Sequence, residues 1–368
     1  MKVKRFKAEN FRNIGNCEID FTDGVNLIYG GNALGKTNVI EGIYLFSRGR
    51  SFRTAQEKDM IKYGEQGFRV ALEYESRDGE SLVEYANFGR EKRRRRNGYI
   101  IKSVREMIEG FKAILFHPDD LSLVKGGPEE RRAFLNVAAA QSYPAYISDY
   151  ARFSQVLENR NAILKNASKG MYFDESELIA WSESMAEYAS YIYLTRKEYL
   201  KKLEVYVKEI GLKISDGKEE ISFEYKADIN EACDRESAKE KYVEALTSSL
   251  DKEKIVGSSL YGPQRDDIII KINGYPTRGF ASQGQQRSIV LAMKLAEGEV
   301  IRDIFGEYPV FLLDEMLSEL DEGRRKFVLD SLDGKQTIIT ACECEEMKPL
   351  AKSLIEIKEE GQYVSSHR

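Results

Sequence analysis

Eight consecutive residues have the types and spacing that bind the phosphates of a nucleotide. They match the P-loop pattern G-x-x-x-x-G-K-[ST] and are Gly30-Gly31-Asn32-Ala33-Leu34-Gly35-Lys36-Thr37. Glycines in such a loop let backbone N–H groups turn towards phosphate oxygens, and the helix that follows adds a partial positive charge. We predict that this loop and the adjoining Asn38 bind ATP. Lys36 would reach the β- and γ-phosphates in catalysis, and the Thr37 hydroxyl would ligate Mg²⁺.

The segments on either side of the loop support this interpretation. Residues 25–29 are apolar enough for a buried strand, and residues 38–46 carry apolar side chains three and four positions apart, as in a helix. A P-loop requires a strand before it and a helix after it, so the predicted context agrees with the motif.

A second candidate group follows the apolar run at residues 309–313, which is typical of a strand buried in a parallel sheet. The run ends in Asp314 and Glu315. Asp314 would hold Mg²⁺ through a water molecule, and Glu315 would orient and deprotonate the attacking water. Strands often end in acidic residues, so the P-loop in the same chain is what favours this assignment.

A third candidate group lies at the predicted start of a helix, in the segment 282–287 with the sequence S-Q-G-Q-Q-R. Ser282, Gly284 and Gln285 could form a second phosphate-binding surface there, because a helix N-terminus attracts anions. The alternative is an ordinary helix N-cap with a polar first turn.

Composition restricts the other possibilities. The 368 residues are 42% hydrophobic and carry a net charge of −5, so any nucleic-acid contact must come from local clusters of positive charge. Two histidines make a histidine-based metal site improbable, and we interpret Cys342-Glu343-Cys344 as a buried pair at a strand end. No signal-peptide pattern and no apolar run of membrane-spanning length occurs, which predicts a soluble, cytoplasmic protein.

The order of predicted elements indicates an α/β nucleotide-binding domain interrupted by a helical block. We assign residues 1–122 and 255–368 to a P-loop ATPase head with an attached antiparallel sheet, and residues 123–254 to a mainly helical insertion. The dipeptide at 97–98, Asn-Gly, predicts a tight hairpin directly after a basic run.

Taken in order, these motifs resemble the SMC/RecF branch of the ABC-type ATPases. The resemblance covers nearly the whole chain and includes the P-loop, S-x-G-Q, D-E and S-E-L-D. It also includes N-F-R-N at 10–13, G-R-S-F-R-T at 49–54, P-D-D-L at 118–121, K-G-G-P at 125–128 and G-P-Q-R-D-D at 262–267.

The resemblance implies a fold and a mode of action. The fold would be an ABC-type head, or lobe I, carrying a helical lobe II without long arms. ATP would lie between two subunits, with Ser282 and Gly284 contacting the γ-phosphate held by the partner, so that ATP makes a homodimer and slow hydrolysis releases it. The family binds DNA at gaps and at single-strand/double-strand junctions, and works with RecR and RecO to load RecA.

A basic run at the predicted hairpin is the candidate DNA-contact surface. Its members are Arg93, Arg94, Arg95 and Arg96. A projecting basic hairpin suits phosphate contact, although such runs are commonly solvated surface. Other candidates are Arg131 and Arg132, or Lys197, Lys201 and Lys202.

Three other functions remain open from the residues alone. They are the ATP-binding subunit of a membrane transporter, a structural ATPase with long SMC-like arms, and a small-molecule kinase. S-x-G-Q follows too long an insertion for a transporter subunit, and that insertion is too short to form long arms. A small-molecule kinase would have no need of S-x-G-Q followed by D-E.

Overall fold

The computed structural model describes all of the chain except residues 230–231, 343–346, 360–361 and 368. The chain divides into two compact units. The head unit comprises Met1–Leu121, Lys213–Asp216 and Arg287–Arg368, and the insert unit comprises Ser122–Leu212 and Gly217–Gln286.

The strands, in chain order, are β1 (Lys2–Phe11), β2 (Ile14–Asp20), β3 (Val25–Tyr29), β4 (Phe68–Ser76), β5 (Gly79–Phe88), β6 (Glu91–Arg96), β7 (Tyr99–Ile100), β8 (Ala113–Phe116), β9 (Ile221–Lys226), β10 (Asp267–Ile272), β11 (Tyr275–Pro276), β12 (Val310–Asp314), β13 (Thr337–Ala341), β14 (Ser353–Glu359) and β15 (Gln362–His367). The α-helices are α1 (Lys36–Arg48), α2 (Val104–Glu109), α3 (Ser122–Lys125), α4 (Pro128–Ser142), α5 (Ala145–Ser168), α6 (Glu175–Ile214), α7 (Arg235–Ser248), α8 (Leu250–Val256), α9 (Gln283–Phe305) and α10 (Glu322–Ser331).

A six-stranded sheet with the order β15-β14-β3-β13-β12-β8 carries the predicted site. Its strands from β14 to β8 pair in parallel. All five residues of β12 and of β13 are buried, as expected for strands covered on both faces. Parallel pairing brings the carboxyl ends of β3, β13, β12 and β8 to one edge, where distant segments of the chain meet.

The second sheet of the head unit is antiparallel, with the order β2-β1-β4-β5-β6-β7. Its strands alternate buried and accessible residues, which is the pattern of a sheet with one face against a core. Helix α1 packs closely on it: a Cβ atom added to Gly42 would lie 2.3 Å from Phe6 Cζ. The predicted tight turn joins β6 to β7, with φ of 50° at Asn97 and 82° at Gly98.

The insert unit combines helices α3 to α8 with a three-stranded antiparallel sheet of order β11-β10-β9. Its core contains large buried side chains, among them Tyr146, Phe153, Met185, Ile192 and Tyr242. Two ion pairs are buried there as well. Arg160 Nη2 lies 2.6 Å from Glu253 Oε2, and Arg196 Nη1 lies 2.8 Å from Asp266 Oδ2.

The predicted α/β head with an antiparallel sheet and a helical insertion agrees with this architecture. The predicted end of the insertion at residue 254 does not agree with it, because residues 255–286 all lie in the insert unit. Strand β10 pairs with β9 along its length, and Arg131 Nε donates to Asp267 Oδ1 at 2.7 Å. Long-range pairing of this kind outweighs the change of sequence pattern near residue 255.

Candidate nucleotide-binding site

The P-loop lies between the end of β3 and the start of α1, as the motif predicts. Gly30 has a φ of 151° and Gly35 a φ of 106°, which side chains rarely adopt. The space beside Gly30 is also too small for a side chain, because a Cβ atom added there would lie 2.5 Å from Ile357 O. Ala33 adopts a left-handed φ of 64°, a position where glycine would cost less.

Lys36 is the first residue of α1, and its side chain is only 3% exposed. Its Nζ donates to Gly30 O at 3.0 Å and to Gly31 O at 2.9 Å, and lies 3.2 Å from Glu315 Oε1. The ammonium group therefore lies inside the curve of the loop, where the phosphates of a nucleotide bind in proteins with this motif.

Asp314 ends β12 and meets Thr37 at the edge of the sheet. Its Oδ1 accepts hydrogen bonds from Thr37 Oγ1 at 2.9 Å and from Thr340 Oγ1 at 2.7 Å. Burial raises the pKa of the Asp314 carboxyl, and the two hydroxyl donors oppose that rise. The structure thus brings together the two residues predicted to ligate a metal, although 277 positions separate them in sequence.

Glu315 follows Asp314 in a left-handed conformation with a φ of 52°, and its N–H donates to Thr340 Oγ1 at 3.0 Å. This backbone turn points the half-exposed carboxylate of Glu315 at the P-loop lysine. The position suits the predicted role of orienting an attacking water.

The structure also places Cys342 and Thr340 at this edge. Cys342, predicted to be buried, is exposed; its thiol donates to Asn32 Oδ1 at 2.7 Å and lies 3.3 Å from Glu315 Oε1. Glu343 and Cys344 lie outside the described residues. Thr340 is not among the predicted site residues, although its place near the end of the buried run 337–341 could have suggested a position beside Asp314.

A layer of polar contacts braces α1 beneath the P-loop. Asn38 Nδ2 donates to Asn13 Oδ1 at 2.6 Å, and Arg53 Nη1 donates to Asn38 Oδ1 at 2.7 Å. The fully buried Glu41 accepts from Arg12 Nη2 at 2.6 Å and from Nε at 2.9 Å. Arg12 and Asn13 belong to the N-F-R-N motif and Arg53 to the G-R-S-F-R-T motif, so both motifs support the position of the helix.

The S-x-G-Q group lies at the start of α9, in the insert unit. Ser282 Oγ accepts from Gln285 N at 3.2 Å, while Ser282 N donates to Gln285 Oε1 at 2.9 Å. This reciprocal pair is a capping box, and Gln285 Nε2 also donates to Glu219 Oε1 at 3.0 Å. The hydrogen bonds within the chain are therefore those of an ordinary helix N-cap. Ser282 is nevertheless exposed, so the N-terminus of the helix remains accessible to solvent.

The basic run divides into two pairs, because alternate residues of β6 face opposite sides of the sheet. Arg94 lies over the Tyr85 ring, with Cζ 5.0 Å from the centroid, and Arg96 donates to the backbone carbonyls of Glu106 and Met107. Arg93 and Arg95 are exposed, and Arg93 pairs with Glu91 at 2.6 Å. Three of the four arginines, Arg93, Arg94 and Arg96, therefore have intramolecular partners that the sequence did not reveal.

The other candidate cations also differ in their surroundings. Arg131 pairs with Asp267, and Arg132 Nη1 donates to Asp266 O at 2.8 Å. Lys202 lies 2.9 Å from Glu198. Arg131, Arg132 and Lys202 therefore each contact an oxygen atom of the protein itself.

The P-loop, the acidic pair at the end of β12, and the attached antiparallel sheet define the head of an ABC-type ATPase. The Smc head domain of Pyrococcus furiosus has the same fold, with a TM-score of 0.55 at 17% identity. The model of the RecF/RecN/SMC N-terminal domain matches residues 2–366. The chain belongs to this family, and within it to the RecF DNA replication and repair proteins.

Individual relatives resemble the chain over almost its full length. RecF of Thermoanaerobacter sp. strain X514 is 36% identical over 352 residues, which cover 95% of this chain and 96% of that protein. RecF of Clostridioides difficile strain 630 is 34% identical over 351 residues, covering 95% and 93%. A solved structure of the recombination mediator protein RecF-ATP in the RecFOR pathway superimposes with a TM-score of 0.92 at 34% identity, covering 99% of this chain and 97% of that one.

These comparisons favour DNA repair over the transporter, long-armed and kinase alternatives. No helix in the part of the chain that the structure describes is long and apolar enough to span a membrane.

Proposed function

We propose that this protein binds ATP and DNA in recombinational repair and replication, and that ATP drives its dimerisation on gapped or junction DNA. Slow hydrolysis then releases the dimer, and the protein acts in the cytoplasm with RecO and RecR to load RecA. One observation supports this proposal above all: a single sheet edge brings together Lys36, Thr37, Asp314 and Glu315. The chain that does so matches a RecF protein over 95% of its length.

The residues at this edge fit an ATP–Mg²⁺ complex. Mg²⁺ in nucleotide sites binds one or two protein oxygens together with phosphates and waters, and the Thr37 hydroxyl and the Asp314 carboxylate supply two hard oxygens 2.9 Å apart. Bound there, Mg²⁺ would neutralise charge on the phosphates. Lys36 would bind the β- and γ-phosphates, residues 30–38 would surround them, and Glu315 would orient the attacking water.

The proposed dimer uses the start of α9 in trans. Ser282, Gly284 and Gln285 would face the γ-phosphate bound by the partner subunit, where the N-terminus of a 23-residue helix supplies partial positive charge. Because each site is complete only with its partner, ATP would link nucleotide binding to dimerisation.

DNA contact is proposed for the exposed arginines of β6, Arg93 and Arg95, rather than for all four members of the run. Both lie on one side of the strand, and their contacts would be with phosphates and independent of sequence. We also propose that the ATPase is weak and stimulated by DNA.

The test is the molar mass in solution of Glu315→Gln, measured by light scattering with and without ATP–Mg²⁺ and a gapped duplex. We expect the mass to double with ATP and the dimer to retain the DNA. A protein that binds ATP but stays monomeric would contradict ATP-driven dimerisation. Two results together would favour the transporter alternative: a rate of hydrolysis that DNA does not change, and copurification with a membrane protein.

A further inference from the structure

His117 lies beside the predicted metal-binding carboxylate, at the same edge of the parallel sheet. Strands β8 and β12 pair in parallel, with Phe116 opposite Leu313. The residues that follow, His117 and Asp314, are therefore neighbours. His117 Nε2 lies 3.8 Å from Asp314 Oδ2, and the imidazole is 21% exposed.

Two contacts hold the imidazole in this position. Its Nδ1 accepts a hydrogen bond from the Asp119 N–H at 3.2 Å. The imidazole also packs against the Phe52 ring, with ring centroids 5.2 Å apart and planes inclined by 62°. Contacts other than the one with Asp314 therefore limit the movement of the ring.

These contacts decide which nitrogen carries the proton. Because Nδ1 accepts from a backbone N–H, a neutral imidazole carries its proton on Nε2. The Asp119 carboxylate also lies 3.4 Å from Nδ1, and an ion pair there requires the protonated ring, in which Nε2 again bears a proton. In both forms an N–H points towards Asp314, so Nε2 is neither a metal ligand nor a general base in this arrangement.

We propose that His117 is a positioning residue for Asp314, an inference that rests on the proposed ATP–Mg²⁺ site. Asp314 Oδ1 already accepts from Thr37 and Thr340, and Nε2–H of His117 faces Oδ2. A movement of less than about 1 Å would turn the 3.8 Å separation into a direct hydrogen bond. Donors on both oxygens fix the orientation of the carboxylate towards the cation.

Such a contact raises metal affinity without touching the metal. Removing a hydrogen-bond partner of a metal ligand typically lowers metal affinity about 10- to 100-fold. We expect an effect near the lower end, about tenfold, since the interaction is longer than a direct hydrogen bond.

The experiment compares His117→Asn with His117→Gln. The asparagine amide keeps an acceptor near the Nδ1 position for the Asp119 N–H but has no donor that reaches Asp314. The longer glutamine amide places a donor near the Nε2 position. Each protein is mixed with a limiting concentration of a fluorescent ATP analogue, and Mg²⁺ is titrated into the mixture. The measured quantity is the Mg²⁺ concentration at which nucleotide binding is half-saturated, so the readout does not depend on hydrolysis.

We expect His117→Asn to raise the half-saturating Mg²⁺ concentration about tenfold and His117→Gln to stay within about threefold of the wild type. Nucleotide binding in excess EDTA and the melting temperature without nucleotide should be equal in all three proteins. An unchanged Mg²⁺ dependence in a folded His117→Asn protein would overturn the proposal, and so would equal losses in both variants, which would indicate a packing role. A wild type that binds nucleotide with no Mg²⁺ dependence, or does not bind it, would instead refute the proposed ATP–Mg²⁺ site.

Discussion

Lys36 and Glu315 form an ion pair, with Nζ 3.2 Å from Oε1, that joins the P-loop to the residue following β12. In the proposed ATP complex the ammonium group turns to the β- and γ-phosphates, so this pair must open or weaken when the nucleotide binds. The Glu315 carboxylate thus competes with the phosphates for the same cation.

Replacing this carboxylate should therefore increase affinity for ATP. Glu315 is 41% exposed, and solvent-exposed ion pairs contribute about 0.2–1 kcal/mol, so we expect Glu315→Gln to bind ATP up to about fivefold more tightly. Calorimetric titration measures this. Glu322→Gln, in the first turn of α10, is the control that removes one negative charge from the head unit. Weaker binding by Glu315→Gln would contradict the competition.

Lys36→Ala should abolish ATP binding. The substitution removes the cation paired with the phosphates, and charge-assisted hydrogen bonds contribute about 1.5–3 kcal/mol each, so affinity should fall about 100-fold or more. Fluorescence titration with an ATP analogue checks the loss, and circular dichroism checks the fold. Normal affinity would refute the assignment of the P-loop.

Ser282→Arg should leave ATP binding to the monomer intact and prevent the ATP-dependent dimer. Ser282 is exposed at the start of α9 and is proposed to act across the dimer interface, where a long side chain would obstruct the partner. Losing the cap costs about 0.5–2 kcal/mol of stability, so Ser282→Asn, which can still cap the helix, is the matched control for folding. Sedimentation with and without ATP is the measurement. Loss of ATP binding in the monomer would show that the assignment in trans is wrong.

The two faces of β6 should respond differently to substitution. Changing Arg93 and Arg95 to glutamine should weaken DNA binding evenly across sequences and reduce the slope of log K against log salt by about two, because two phosphate contacts are lost. Stability should not change, since both side chains are exposed. Fluorescence anisotropy over a range of salt concentrations provides the slope.

The matched variant changes Arg94 and Arg96 to glutamine. It should lower the free energy of unfolding by about 1–3 kcal/mol, because the carbonyls of Glu106 and Met107 lose a charged donor. Its effect on the salt slope should be small. A slope that is unchanged in the Arg93 and Arg95 variant would mean that this face of the strand is solvated surface without DNA contact.

Part of this site could be predicted from local sequence. The P-loop occupies eight adjacent residues, and the spacing of its glycines, lysine and threonine is sufficient to predict phosphate binding. The alternation of β6 was also present in the sequence: a strand places every second residue on the same face, and applying that rule to the four arginines would have separated Arg94 and Arg96 from Arg93 and Arg95.

By itself, the sequence determined the nucleotide loop, the acidic end of a buried strand, the α/β class and the presence of a helical insertion, because each depends on the periodicity or spacing of neighbouring residues. Only the tertiary structure decided that Thr340, Cys342 and His117 lie beside Asp314 and Glu315, and that residues 255–286 all belong to the insert unit. The physical reason is the pairing of strands. The order β3-β13-β12-β8 brings together strand ends that are far apart along the chain, and the energy of that arrangement is shared by the whole sheet and encoded in no single segment.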